Sequence, residues 1–240
     1  MKHANLRLAV VGALVVLALA GCGGGSKTSQ TQTKAPTTNP PATNGLENKS
    51  AAQVEQDAAA ALRAAKSVHV TGTGRSQGKP EQVDLRIQGN SSTGTIEMAD
   101  AAFEITTVGP DTYLKADQRA WQAMGAPASL QRLAGGRWVK LGAQQAGNVE
   151  GLSLDSLAAQ LTKNDSPLQP GVEQATLDGN RVVALSQQNG SKLYVANTGL
   201  AYPLRVEIKG RDAGRLDFTE YGSDFHITAP SNAVDLKMHG

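Results

Sequence analysis

The sequence has a single cysteine, Cys22, among its 240 residues. One thiol cannot form a disulfide within the chain, and it cannot supply the group of thiolates that a structural zinc site uses. Folding must therefore depend on a hydrophobic core alone. The roughly 190 residues after the N-terminal segments are ample for one domain of that kind.

Large aromatic side chains are also scarce, with only three Phe and two Trp in the chain. A core made mostly of smaller side chains supplies less volume, which is compatible with an internal void. Trp121 lies in a predicted helix and either lines such a void or anchors the helix. Trp138 lies in a short predicted strand and is expected to pack into the sheet.

Groupings of residues that perform catalysis or bind metals are absent from the sequence. His69 and His226 occur singly in strand-like segments, where each is predicted to point to solvent, and the other two histidines lie near the chain ends. No Gly-x-Ser-x-Gly, His-Glu-x-x-His or Walker motif is present. The run from Gly72 to Gly74 has the wrong spacing for a dinucleotide-binding loop and is predicted to end a strand. We therefore expect no enzyme activity, no metal site and no cofactor.

The sequence also lacks a large excess of charge of either sign. The chain has 23 Lys and Arg and 21 Asp and Glu, and two of the basic residues, Lys2 and Arg7, lie in the first 21 positions, which contain no acid. Without that segment the counts are 21 and 21, so the remaining protein is near neutral. A neutral protein has no general electrostatic attraction for nucleic acid, which we exclude as a partner.

The N-terminus has the organisation of an export signal. Lys2 and Arg7 form a basic region, and an apolar stretch over 8–20 follows it. That stretch is shorter than the roughly 20 residues that span a bilayer. It ends in Leu19-Ala20-Gly21-Cys22, which resembles the bacterial lipobox. This resemblance implies a signal peptide over 1–21, cleavage before Cys22, lipidation of its thiol and acylation of the new amino terminus.

A lipidated Cys22 would anchor the protein by acyl chains such as palmitate at the extracytoplasmic face of the cell membrane. The alternatives are an ordinary signal peptide or a cysteine that occurs there by coincidence. Residues 22–49 are rich in Gly, Ser, Thr, Gln, Asn and Pro. This composition predicts a disordered tether, because it cannot bury enough apolar surface to offset the entropy of ordering.

The folded domain is predicted to occupy 50–240 and to begin with a helix. Ser50 and Gln53 form a capping-box pattern, and apolar residues recur at helical spacing up to about Lys66. Further helical patterns occupy about 118–133 and 153–162. Elsewhere the period is two, and Asp-Gly and Asn-Gly pairs mark hairpins. These patterns predict an α+β fold: a strongly curved antiparallel sheet of about ten or eleven strands, with helices covering its concave face.

Strict alternation also identifies the side chains expected on the buried face of the sheet, because each has a polar neighbour on the opposite face. Leucines of the helix over 153–162 are expected to close the same space from the other side. The predicted lining residues are Val83, Leu85, Ile87, Met98, Phe103, Ile105, Val206 and Leu216 from the strands, and Leu154, Leu157 and Leu161 from the helix.

Six segments resemble the actinobacterial surface lipoproteins of the LppX/LprG type, which have a LolA-like half-barrel. They are Val68-His69-Val70-Thr71-Gly72, Val108-Gly109-Pro110-Asp111-Thr112-Tyr113-Leu114, Gly136-Arg137-Trp138-Val139, Leu193-Tyr194-Val195-Ala196, Tyr202-Pro203-Leu204-Arg205 and Phe225-His226-Ile227-Thr228-Ala229-Pro230. All are strand and turn segments and contain no catalytic motif.

The resemblance implies an apolar cavity between sheet and helices that takes the acyl chains of a lipid or lipoglycan. The expected function is therefore lipid binding, and lipid transport or presentation, by a monomeric protein of the cell envelope or periplasm. The alternative is a sensory or scaffolding lipoprotein that uses the same fold to bind a protein, such as a membrane transporter or regulator. Fold alone does not decide between these functions.

Overall fold

The computed structural model describes residues 42–76, 78–99, 101–123, 125–142 and 152–235. The predicted signal peptide and Cys22 lie outside these residues. The described chain forms helices and one large sheet. The helices are α1 (Ala51–Ala64), α2 (Gln118–Ala123), α3 (Ala128–Ala134) and α4 (Leu154–Leu161).

The sheet contains twelve strands among the described residues, one or two more than the alternation predicted. They are β1 (Ser67–Ser76), β2 (Lys79–Gln88), β3 (Ser91–Met98), β4 (Ala101–Val108), β5 (Asp111–Ala116), β6 (Val139–Lys140), β7 (Glu173–Leu177), β8 (Asn180–Ser186), β9 (Lys192–Ala196), β10 (Pro203–Ile208), β11 (Gly214–Thr219) and β12 (Val234–Asp235).

The spatial order of the strands is β12-β6-β5-β4-β3-β2-β1-β11-β10-β9-β8-β7. Two antiparallel meanders, β1 to β6 and β7 to β11, are joined where β1 pairs with β11. The pairing of β12 with β6 is parallel, so the sheet is mixed rather than wholly antiparallel. The sheet is open, and β12 and β7 are its outer strands. The predicted fold class, a curved sheet with helices, is confirmed.

Short turns produce the second meander, as the sequence predicted. Leu177 pairs with Asn180 across Asp178 and Gly179, whose φ angles are 49° and 82°. Positive φ at both central residues gives the twist that a two-residue hairpin requires. In the β8–β9 hairpin the Asn189 side chain accepts a hydrogen bond from the Ser191 amide at 2.9 Å. Both predicted turns are therefore confirmed.

The predicted helices are also confirmed, with one division. Ser50 caps α1 in a complete capping box with Gln53. The helical pattern over 118–133 becomes α2 and α3, because Pro127 has an extended backbone and precedes α3 as its N-cap residue. Ser153 accepts a hydrogen bond from the Ser156 amide at the start of α4. Helix α1 packs against α4, β8 and β10.

The segment before α1 differs from its prediction. Residues 42–49 were placed in the tether, yet Leu46 is 2% exposed and packs with Val183 and Val195 of the sheet. The backbone amide of Asn44 donates a hydrogen bond to Asn197 O at 3.1 Å, and its side-chain Nδ2 donates one to Ala196 O at 2.9 Å. The packed domain therefore begins before Ser50, because one buried leucine and two hydrogen bonds from Asn44 hold the segment in place.

Two further predictions need correction. Phe225 and Ile227 were assigned to a strand, but residues 225–227 form none, and His226 has a φ of 49°, which no regular strand accommodates. His226 is exposed, as expected. His69 does lie on the side of β1 opposite Val70, but it is only 8% exposed. Its Nε2 lies 2.7 Å from Asp84 Oδ1 and its Nδ1 lies 3.1 Å from Glu220 Oε1, so two carboxylates cover it.

Candidate functional site

The strand register places a row of residues together on the concave face of the sheet. Val83 pairs with Gly72, Gly72 with Leu216, and Leu216 with Val206. Directly paired residues of adjacent strands point to the same side. The row therefore runs across four strands, from β2 through β1 and β11 to β10, and α4 lies over it.

A first cavity, cavity A, opens beneath α4 over this row and has a volume of about 350 Å³. Ligand sites of small molecules usually occupy about 300–1,000 Å³. Its apolar lining consists of Val70, Val83, Leu85, Ile87, Ile96, Leu152, Leu157, Ile208 and Leu216, together with Gly72, Gly74 and Gly214.

A second cavity, cavity B, has a volume of about 330 Å³ and lies between α1, α4 and the strands β8 to β11. Its apolar lining consists of Leu157, Leu161, Leu168, Leu185, Leu193, Val206, Ile208, Leu216 and Phe218. Leu157 and Gln160 of α4, with Ile208 and Leu216 of the sheet, border both cavities. The two spaces are therefore adjacent and share one wall.

Glycines help to keep cavity A unfilled. A Cβ added to Gly72 would lie 2.5 Å from Leu216 Cδ2, and one added to Gly214 would lie 2.7 Å from Gly74 Cα. Strands β1 and β11 approach each other so closely here that only glycine fits. No side chain rises from these positions of the wall, so the space opposite α4 stays open.

Charged side chains border cavity A at the end formed by the β1–β2 and β10–β11 turns. Arg75, Glu81, Asp212 and Arg215 lie there. Arg75 Nη1 donates to Gly78 O at 2.9 Å, and the Gly78 amide donates to Asp212 Oδ1 at 3.2 Å. These bonds tie the two turns together at the rim of the cavity.

Polar side chains also border one end of cavity B, where Glu55 is buried, Gln187 is half-buried and Asn164 is exposed. Glu55 of α1 is 8% exposed and borders the cavity. Asn164, which follows α4, donates from Nδ2 to Glu55 Oε1 at 2.8 Å. Gln187 donates from Nε2 to Asn164 Oδ1 at 2.7 Å. We call Glu55, Asn164 and Gln187 the carboxamide network.

Seven of the eleven predicted lining residues border a cavity. Val83, Leu85 and Ile87 border cavity A, Leu161 and Val206 border cavity B, and Leu157 and Leu216 border both.

The other four predicted residues lie elsewhere. Phe103, Ile105 and Leu154 are at most 5% exposed and pack into the main core instead of bordering these spaces. Met98 lies on the same face as Val83 but at the open end of β3, where it is 40% exposed. The strand register puts the predicted strand residues on one face of the sheet, but alternation does not specify how far the helices cover that face.

Several residues that border the cavities were not among those predicted from the sequence. Ile96 and Ile208 lie in the alternating segments and could have been included on that ground. The glycines of β1 and β11 carry no periodic signal. Glu55, in contrast, is marked by the helical pattern. It interrupts the apolar stripe of α1 four residues after Ala51, at a position that faces the domain.

Among the residues that the structure describes, no helix is long and apolar enough to cross a membrane. Within the same ranges, no three His, Cys, Asp or Glu side chains come together as a potential metal site.

No family model and no curated protein matches this chain. Solved structures do match. The structure of LprF from Mycobacterium bovis aligns with a TM-score of 0.52 at 18% identity, covering 75% of this chain and 96% of that one. The lipoprotein LppX of Mycobacterium tuberculosis aligns with a TM-score of 0.47 at 14% identity, covering 74% and 98%. The chain therefore shares the fold of the LprF structure.

Proposed function

We propose that this protein is a lipoprotein anchored through Cys22 at the extracytoplasmic face of the cell membrane, where it binds the acyl chains of a lipid or lipoglycan in cavities A and B. The proposed role is non-enzymatic: the protein carries or presents its ligand. The observation that supports this proposal most strongly is the pair of adjacent, largely apolar cavities between α4 and the sheet.

The energetics favour an acyl chain as the occupant. Each methylene transferred from water into an apolar space contributes about 0.8 kcal/mol. Ten methylenes would supply about 8 kcal/mol before the cost of immobilising the ligand, which is the scale of a micromolar complex. Both cavities are more than twice the size of a 150 Å³ apolar cavity, which is already sufficient to bind benzene.

The resemblance to the LppX/LprG-type lipoproteins supports the same ligand class, and the fold shared with LprF is consistent with it. The alternative function, binding of a protein partner, would be supported by a broad exposed apolar patch. Of the described residues, the large apolar side chains that are exposed are Met98 and Leu200, which belong to separate hairpins. Lipid binding is therefore the function that we propose.

The direct test is to purify the chain from its native host with residues 1–22 removed and to examine it by gentle mass spectrometry. We expect an acylated molecule to copurify, and the stripped protein to take up a fluorescent fatty-acyl probe. Bare protein that takes up no probe would reject the proposal and favour a protein partner.

Blocking cavity A gives a matched comparison. Val83 borders the cavity and is only partly buried, whereas its neighbour Gln82 is exposed and is not among the lining residues. Val83→Trp should fill the cavity and reduce probe uptake at least tenfold, while Gln82→Trp should bind as the unchanged protein does. Equal binding by both variants would show that the probe does not enter cavity A.

The anchor is tested separately, because ligand binding does not require it. Cys22→Ala should release the protein from membranes after a carbonate wash, since stable attachment depends on the acyl chains. A variant that still sediments entirely with membranes would show that another segment holds the protein there.

A further inference from the structure

We propose that the carboxamide network of cavity B is a specificity subsite, which selects ligands carrying an uncharged, hydrogen-bond-donating group, such as a hydroxyl, next to the acyl chain. The inference rests on the proposed lipid-binding function and adds a ligand chemistry to it.

The first reason is the position of Glu55. Its side chain lies on the inner face of α1, and the residue is 8% exposed in the wall of a cavity that combines leucines and other apolar side chains with several polar and charged ones. A buried carboxylate costs free energy unless it is paired or fully hydrogen-bonded. Among the described residues, Glu55 forms no ion pair with any Lys or Arg, and its one hydrogen bond, from Asn164, reaches Oε1.

The second reason is the capacity left in the network. An ionised carboxylate accepts about four hydrogen bonds, so Glu55 can accept more than Asn164 provides. The amide nitrogens of Asn164 and Gln187 each use one hydrogen in the network and have a second, and Gln187 Oε1 is an acceptor. A group that both donates and accepts, as a hydroxyl does, matches this set.

The third reason is that the network is held in place by its surroundings. Asn164 follows the end of α4, where the Lys163 amide donates to Gln160 O at 3.0 Å. The next residues are fixed to the end of β8, because the Gln169 amide donates to Ser186 O at 2.8 Å and the Gln188 amide donates to Pro167 O at 2.9 Å. These bonds fix the backbone near Asn164 and Gln187, whose side chains are exposed and half-buried respectively. A positioned set of polar groups gives more selectivity than a mobile one.

Charge distinguishes a hydroxyl from an ammonium group. Lys163 and Lys192 border the same cavity as Glu55 and Asp165, so both signs of charge are present there. A cationic head group would gain little from such a mixed site. An uncharged donor can bind Glu55 without being opposed by either lysine, and its acyl chain can then extend past Leu157 and Leu216 into cavity A.

The test uses two probes with the same dodecyl chain, each below its micelle concentration. Dodecyl maltoside has hydroxyl donors, whereas dodecyl dimethylamine oxide has none. Glu55→Gln keeps the size and the acceptor for Asn164 but removes the carboxylate. Because a hydrogen bond to a charged group changes affinity about tenfold to a hundredfold, Glu55→Gln should raise the Kd for the maltoside by about that factor. Its Kd for the amine oxide should change less than about twofold.

Glu97→Gln is the matched control, because Glu97 is exposed on β3 and borders neither cavity. It should bind both probes as the unchanged protein does, and circular dichroism should show that both variants fold. Equal changes for the two probes, or none, in Glu55→Gln would overturn the subsite. An unchanged protein that binds the amine oxide but not the maltoside would overturn the subsite and leave the proposed function standing. Failure to bind either probe would count against both.

Discussion

Two parts of the same concave surface have opposite packing. In the packed part, Phe103, Ile105, Leu114 and Val139 of the sheet are at most 7% exposed around Trp121. In the hollow part, Val83, Leu157, Val206, Ile208 and Leu216 are only partly buried around cavities A and B.

Apolar and polar residues alternate along the strands of both parts in the same way. The difference in packing therefore arises from the elements that lie opposite and beside these strands. In the packed part, α2 inserts Trp121, whose Nε1 donates to Ala116 O at 3.1 Å. In the hollow part, α4 faces a wall that includes Gly72 and Gly214. One large side chain closes the first part, and the absence of side chains at neighbouring glycines leaves the second open. We infer that stability resides mainly in the first part, and we place the proposed ligand site in the second.

The largest expected effect is the loss of the tryptophan from the packed part. Trp121→Ala should lower the free energy of unfolding by about 3–5 kcal/mol, because it leaves a cavity in a close-packed region. Leu157→Ala in the hollow part should cost only about 1 kcal/mol, since Leu157 is only partly buried and already borders two cavities. Urea denaturation measures both, and similar losses would contradict the division into two parts.

The segment before α1 should behave as part of the packed structure. Leu46→Ala should destabilise the domain by about 2–4 kcal/mol, because this leucine is buried against the sheet. Leu200 is 63% exposed and serves as the matched control. Leu200→Ala should change stability by less than about 0.5 kcal/mol. If a chain beginning at Ser50 melts at the temperature of one beginning at residue 42, residues 42–49 contribute nothing.

Substitutions that add side-chain volume should also distinguish the two parts, because the packed part has no room for a larger side chain. Ile105→Trp should cost about 1–3 kcal/mol or more, because it overpacks a filled core. Val206→Trp should cost less and should abolish probe uptake, since the new ring can occupy cavity B. Thermal melting and probe fluorescence together test this. Ile87, although it borders cavity A, is 1% exposed and should respond as Ile105 does.

The smallest effects concern the helix caps, and they refine the comparison. Ser50→Ala and Ser153→Ala should each cost about 1 kcal/mol, the usual value for loss of an N-cap side chain. Ser153 caps α4, which borders both cavities, so its loss should also speed release of a bound probe. Ser50→Ala should leave release unchanged. Equal release rates in stopped-flow displacement would show that α4 does not control access.

Local signals in the sequence were sufficient for much of the fold. Period-two alternation located most strands, and Ser50 with Gln53, Asp178 with Gly179, and Ser153 marked element ends through contacts within a few residues. The same signals failed where long-range contacts dominate. Leu46 stands in a polar segment and is held by Val183 and Val195, far away in the chain. The expected strand at Phe225 is absent, although the alternation there is regular.

The sequence by itself determined the curved sheet with its helical cover and the face on which a ligand site could lie, because periodicity and turn chemistry act over short distances. Only the tertiary structure decided where that face is filled and where it is hollow. Alternation does not distinguish Phe103, beneath a packed helix, from Val83, beneath an open one. The volume of a cavity depends on all the elements that surround it, because β1 and β11 meet at glycines beside cavity A. In the same way, α1 brings Glu55 to Asn164 and Gln187, which lie more than a hundred residues away in the chain.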